Sequence, residues 1–300
     1  MLPSIPIQNP KKVIKIVFLV ILGLVLAAVI WGVISALFGG NMMLGWRDYR
    51  YDESAYTIGE GSIPYDNITA IDLDWIDGKI EIVSCGDTYV SLTESAEGEL
   101  SNSEKLRWSV DENGVLSIKY RKSSWFLGFG YENRGKSLIL RIPERMLSTL
   151  EHLNVETLSS EVTVNEIDAR SFVYKNVTGN LIATNCCFDS CDLSSSAGDI
   201  DLPDCRIGSA EATTASGNIL LYSQTCPSKL TLETKGGEVE ILIPVSSSFT
   251  LYHETKSGQL SSDFSMQKLT DRYVCRDGAA TFTVKTASGS VYITQNNDIE

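Results

Sequence analysis

The feature that most constrains this chain is a glycine, or its substitute, recurring at Ser160, Gly179, Gly198, Gly217, Gly237, Gly258 and Gly289. The first six positions are spaced by 19, 19, 19, 20 and 21 residues, and the last gap of 31 predicts an insertion between Ser262 and Ala280. A fixed period of this size marks stacked supersecondary units, each unable to bury an apolar face alone. Two residues after each centre stand Val162, Leu181, Ile200, Ile219, Val239, Leu260 and Val291, all aliphatic. The intervening position is Glu161, Asn180, Asp199, Asn218, Glu238, Gln259 or Ser290, so inward and outward residues alternate with the period of a strand. Seven residues before each centre a second inward position holds Leu153, Phe172, Cys191, Ala210, Leu230, Leu251 and Phe282. Each repeat therefore reads as strand, turn, strand. The turn carries Thr, Asn or Ser three residues before the glycine; glycine allows the positive φ of a sharp corner, and the short polar side chain can bond the turning backbone.

Parallel stacking of such short strands into a β-solenoid satisfies the backbone along the stack; a two-layer antiparallel sandwich is the alternative. Upstream, IDLDW, KIEIV, YVSLT, LRWSV, VLSIKY and SLILRI alternate between turn formers and predict a short β-hairpin region ahead of the regular repeats. The stretch Val13–Phe38 has Lys15 as its sole charge, and as a helix its 26 residues would reach about 39 Å, enough to span a bilayer. Lys11, Lys12 and Lys15 on its N-terminal side predict a cytoplasmic N-terminus, with everything after Gly39 extracellular. A cleaved signal peptide fits less well, because the apolar run is long and SALFGG is a poor cleavage site. The expected organisation is a cytoplasmic N-terminus (1–12), one transmembrane helix (13–38), a juxtamembrane linker (39–65) and an all-β repeat domain (66–296). Its regular rungs, one to each glycine centre, occupy 151–296.

The TxSGxV repeats and the IDLDWIDGKIEI opening, behind an N-terminal anchor, resemble the bacterial "putative adhesin" domain family, over about Asp66 to Gln295. That resemblance implies a β-solenoid in the cell envelope with an adhesive or envelope-sensing role, and no catalytic residues to carry over.

Chemistry-bearing residues are few. The chain has 38 acidic and 25 basic residues; without the three N-terminal lysines the remainder has 22 basic residues and a net charge of −16, which disfavours nucleic acid as a partner. His152 and His253 are the only histidines, and His253 falls where other repeats have Val155, Tyr174, Leu193, Ala212, Leu232 and Val284, so it reads as an adapted core residue. The seven cysteines form no CxxC pair and lie near no histidine, which gives no metal site; Cys186 and Cys205 share one register, as a reduced core ladder or as a disulfide. Asp199, Asp201 and Asp204 beside Arg206, with Glu238 and Glu240 on a later copy, are the best carboxylate cluster, read first as a solvated face. Trp125, Phe126, Phe129 and Tyr131, between two predicted strands, are the candidate contact residues, either as an exposed tip or folded back as a cap.

These features predict a non-enzymatic, membrane-anchored, extracellular binding or adhesion module of the cell envelope without cofactors. Its partners would be the membrane, through the N-terminal helix, and an envelope or host-surface glycan or a protein. The alternatives are an envelope stress-sensing or structural assembly protein, and a glycan-cleaving β-helix enzyme using Asp199, Asp201 and Glu238.

Overall fold

The computed structural model describes residues 49–124 and 135–296. Residues 49–51 and 123–124 belong to a small unit in which the Tyr49 N–H donates to the Ser124 carbonyl at 3.2 Å and the Tyr51 N–H to Ser123 Oγ at 3.2 Å. The larger unit, covering the rest, is all-β apart from a single-turn helix, Glu144–Leu147.

Its strands fall into three groups. The first comprises β1 (Thr57–Ile58), β2 (Gly61–Pro64), β3 (Ala70–Cys85), β4 (Tyr89–Ser95), β5 (Arg107–Val110), β6 (Val115–Lys119) and β7 (Ser137–Pro143). The second comprises β8 (His152–Asn165), β9 (Asp168–Asn176), β10 (Leu181–Thr184), β11 (Cys187–Ser195), β12 (Ile200–Thr214), β13 (Ile219–Ser223), β14 (Lys229–Thr234) and β15 (Val239–Pro244). The third comprises β16 (Phe249–Glu254), β17 (Leu260–Ser262), β18 (Gln267–Lys268), β19 (Tyr273–Cys275), β20 (Ala280–Thr286) and β21 (Val291–Asn296).

The strands pair into two parallel ladders. One runs from β6 through the first half of β3 and of β8, then β9, β11, the second half of β12, β14, β20 and β16. The other runs from β7 through the second half of β3 and of β8, then β10, the first half of β12, β13, β15, β21 and β17. The inward aliphatic columns close between them: Val162, Leu181, Ile200, Ile219, Val239 and Val291 are at most 1% exposed. Each such side chain contributes about 1.5–3 kcal/mol by leaving water.

Two expectations of the architecture are corrected. No separate hairpin region precedes a regular solenoid. Residues 70–85 form one continuous strand paired in parallel to β8, while antiparallel pairings β2–β4, β4–β7, β1–β5 and β5–β6 lie at one end of the same sheet. The repeats also do not stack in chain order: β21 sits between β15 and β17, and β20 between β14 and β16. The insertion expected after Ser262 is the path that makes this possible, since β19 pairs antiparallel with β16, and β18 antiparallel with β19, before the chain returns as β20. At the other end β3 lies between β7 and β8, again out of sequence order. The anticipated β-solenoid with a leading hairpin region gives way to a mixed sheet whose end repeats are interleaved.

The transmembrane helix expected at 13–38 lies outside the described residues, and among the described residues no helix is long and apolar enough to cross a membrane. On that finding the placement as a single-pass plasma-membrane protein with an extracellular C-terminal domain is corrected.

Candidate interaction face

The recurrent glycines form one column, running Gly78, Ser160, Gly179, Gly198, Gly217, Gly237, Gly289, Gly258 along the stack. A Cβ on Gly198 would meet the Gly179 carbonyl oxygen at 1.8 Å, on Gly217 that of Gly198 at 2.0 Å, and on Gly289 that of Gly237 at 1.6 Å. Close backbone approach is therefore what selects glycine. Only Gly78 and Gly179 in this column have positive φ, so the corner conformation expected of every copy holds for few of them. The polar residue three positions earlier is buried and pins the corner. Thr214 Oγ1 accepts the Gly217 N–H at 3.1 Å and donates to the Gly198 carbonyl at 3.1 Å, and Thr234 repeats the pattern with Gly237 and Gly217. The second corner of each repeat went unread. Glu166, Asn185 and Asp204, six residues after consecutive centres, all have φ near 56°, and a polar residue at that offset in three copies was the available signal.

This backbone holds outward side chains in straight columns. Beside three successive glycines an amide or carboxylate bridges to the next repeat: Asn180 Oδ1 accepts the Asp199 N–H (3.0 Å), Asp199 Oδ1 that of Asn218 (2.7 Å), and Asn218 Oδ1 that of Glu238 (2.9 Å). Asp199 is thus occupied in joining repeats. The column two residues further on reads, in register, Ile182, Asp201, Leu220, Glu240, Tyr292. Ile182 is 39% exposed, and beside this column Tyr222 accepts a hydrogen bond from Asn296 Nδ2 at 2.6 Å. Burial between Ile182 and Leu220, then the charge of Asp199, push the Asp201 carboxyl above its ordinary value.

Between β8 and β21 the two outward columns nearest the glycines carry the acids Glu161, Asp199, Asp201, Glu238 and Glu240 and no lysine or arginine. Glu161 pairs with Lys79 at 3.6 Å; among the described residues the other four form no ion pair. The opposite ladder is mixed, with Lys175, Lys229 and Lys285 interspersed among Glu156, Asp192, Glu211 and Glu233.

The other predicted residues fall elsewhere. Trp125, Phe126, Phe129 and Tyr131 lie outside the described residues. Gly258 closes the glycine column at the far end, against the Gly289 carbonyl. His253 is in register with Val284, its Nε2 is buried with no hydrogen-bond partner, and burial lowers its pKa. All seven cysteines are free thiols; Cys186 and Cys205 lie side by side, their sulfurs donating to the Thr184 carbonyl at 3.3 Å and the Ala183 carbonyl at 3.2 Å. Sequence reading missed a buried polar centre at the antiparallel end. Lys136 pairs there with Glu94 at 2.5 Å, donates to the Glu104 and Tyr120 carbonyls, and sits 4.0 Å from the Tyr120 ring centre. A cleft of about 690 Å³ opens beside Glu94, lined also by Glu60, Asn102 and Lys105.

The sequence pattern of the Toastrack DUF4097 family matches residues 68–294, most of the chain and nearly all of its strands, and the protein belongs to that family. Solved structures that match the chain include a "putative adhesin" of Bacteroides fragilis at 13% identity, covering 80% of this chain and 97% of the other, TM-score 0.42. One of Parabacteroides distasonis is 12% identical, with 79% and 96% covered and a TM-score of 0.42. A "putative cell adhesion protein" of Clostridium sporogenes is 13% identical, with 80% and 100% covered and a TM-score of 0.33. No curated protein matches the chain.

Proposed function

We propose that this protein is a non-catalytic, adhesion-like binding module that holds its partner on a rigid β face. The observation that carries this reading is the glycine column, which brings neighbouring backbones to their closest approach and fixes the outward side chains in register. A surface ordered before its partner arrives loses little side-chain and backbone freedom on binding, so a shallow face can hold a partner by area. The carboxylates of the glycan-cleaving alternative fit this reading better than catalysis: Asp199 accepts the Asn218 N–H, and Asp201 lies in register between Ile182 and Leu220. His253 points into the repeat column, where it replaces an aliphatic residue.

The test is to pass the purified protein over immobilised proteins and neutral and charged glycans, assaying the same ligands for turnover. Saturable retention with no product is the expected result. Cleavage of an acidic polysaccharide, abolished by Asp201→Asn, would overturn the reading.

A further inference from the structure

We infer that the outward face centred on Asp201 and Leu220 is the docking surface, and that its occupant is a basic amphipathic helix of a partner protein. This rests on the reading as a binding module and names the face and the chemistry it takes. Along the stack the central column alternates apolar and acidic: Ile182, Asp201, Leu220, Glu240, Tyr292. Neighbouring strands lie about 4.8 Å apart, so the column presents an apolar or an acidic group at about that interval. The turns of an α-helix laid along the stack come every ~5.4 Å, close to this spacing, whereas same-side residues of an extended segment are ~7 Å apart. A helix offering aliphatic and basic side chains in turn would bring one to each row.

Three further observations favour this partner. The carboxylates of Asp201 and Glu240 have no ion-pair partner among the described residues, while the opposite ladder intersperses lysines among its acids. Desolvation has already raised the Asp201 carboxyl, so an approaching cation meets a carboxylate that has lost part of its water and removes little more. Tyr222, hydrogen-bonded to Asn296 at 2.6 Å, is held in place beside the column. A polyanion is excluded by charge, and a purely apolar partner would leave both carboxylates buried and unpaired.

The experiment uses the full chain and a synthetic helical peptide of about 18 residues, five turns, with leucine and lysine alternating from turn to turn along one face, read by fluorescence anisotropy. The unaltered protein should bind it saturably, with affinity falling as salt rises. Asp201→Asn with Glu240→Gln should weaken binding about tenfold or more, and Leu220→Asn should weaken it severalfold, with unchanged circular dichroism. Glu211→Gln with Glu233→Gln, on the opposite ladder, should leave it unchanged. Equal losses from both pairs would show general charge attraction and overturn the inference. So would tighter binding of an alternating Lys–Leu strand-forming peptide, or of a cationic glycan. The two readings fail separately: a panel ligand retained equally by the Asp201, Glu240 variant removes this face and leaves the binding module, whereas turnover of a panel ligand removes the module itself.

Discussion

The glycine column is sterically determined, which makes its consequences sharp at the level of single residues. A Cβ at position 217 would lie 2.0 Å from the Gly198 carbonyl oxygen, an atom that can move only with its own backbone, whereas at position 86 it would meet nothing within 4 Å. Gly217→Ala is therefore expected to cost about 3 kcal/mol and Gly86→Ala close to nothing, read as shifts of the urea midpoint at constant slope. The positions of these glycines were legible because they repeat, but their reason was not: spacing reveals a constraint without saying whether it is a torsion or a contact. The corners at Glu166, Asn185 and Asp204 were less visible, because three different side chains satisfy one left-handed backbone. His253 was legible as a core substitution, and it makes stability depend on pH. Burial holds its pKa below 6.5, so as pH falls through 6.5 the unfolded chain takes up the proton first and the folded state loses stability, until the folded imidazole also charges. His253→Val, matching Val284 in the adjacent strand, should flatten the decline of the urea midpoint between pH 7 and pH 5. The thiols divide by burial: an aromatic disulfide reagent should label Cys85, Cys187 and Cys226 in the native protein and reach Cys186, Cys191, Cys205 and Cys275 only on unfolding.

Among the elements, the antiparallel end shows why part of the fold escaped a reading by repeats. The strand content of IDLDW and KIEIV was evident, but the turn expected between them is absent; Trp75 through Gly78 continue a single strand into both ladders. Gly78 heads the glycine column, yet the chain reaches Ser160, its neighbour there, only after β4 to β7 and their connections. The short period of the later repeats cannot be seen across such a gap. Lys136 stands just before β7, where nothing in the repeat pattern marks it. It is 2% exposed and bound to Glu94, and desolvation lowers its pKa against the opposing pull of that carboxylate. The Lys136 backbone also takes part in the column, its carbonyl lying 1.9 Å from where a Gly78 Cβ would be. Removing the ammonium alone strands the Glu94 carboxylate, so Lys136→Met should cost about 3–5 kcal/mol. Adding Glu94→Gln should recover part of that loss, and a double-mutant cycle in urea measures the coupling directly.

For the stack as a whole, the order of the repeats matters more than their number. Because β21 lies between β15 and β17, and β20 between β14 and β16, these two returning strands are interior to the C-terminal end of the stack. Among the described residues β17 pairs with β21 alone, and β16 pairs with β20 and the short antiparallel β19. The inward Phe249 stacks on Phe282 with ring centres 4.8 Å apart, so the packing of that end also depends on the returning strand. In a simple linear array, deleting the final repeat would expose its predecessor and leave the rest paired. Here a chain ending at Gly278 would lose the layer that joins residues 249–262 to β14 and β15. Hydrogen exchange should then show amides of β16, β17 and β19 unprotected in the truncated protein, while β8 to β13 keep the protection they have in the full chain. Retained protection in β16 would mean that it can repack directly against β14, bringing Gly258 to the place of Gly289 over the Gly237 carbonyl. The two spacings, 21 residues from Gly237 and 31 onward to Gly289, leave that closer order open to the chain. Since β20 takes one edge of β16 and the antiparallel β19 takes the other, the edge that β14 would need in the sequential order is already filled, and the β18–β19 turn therefore favours the interleaved order.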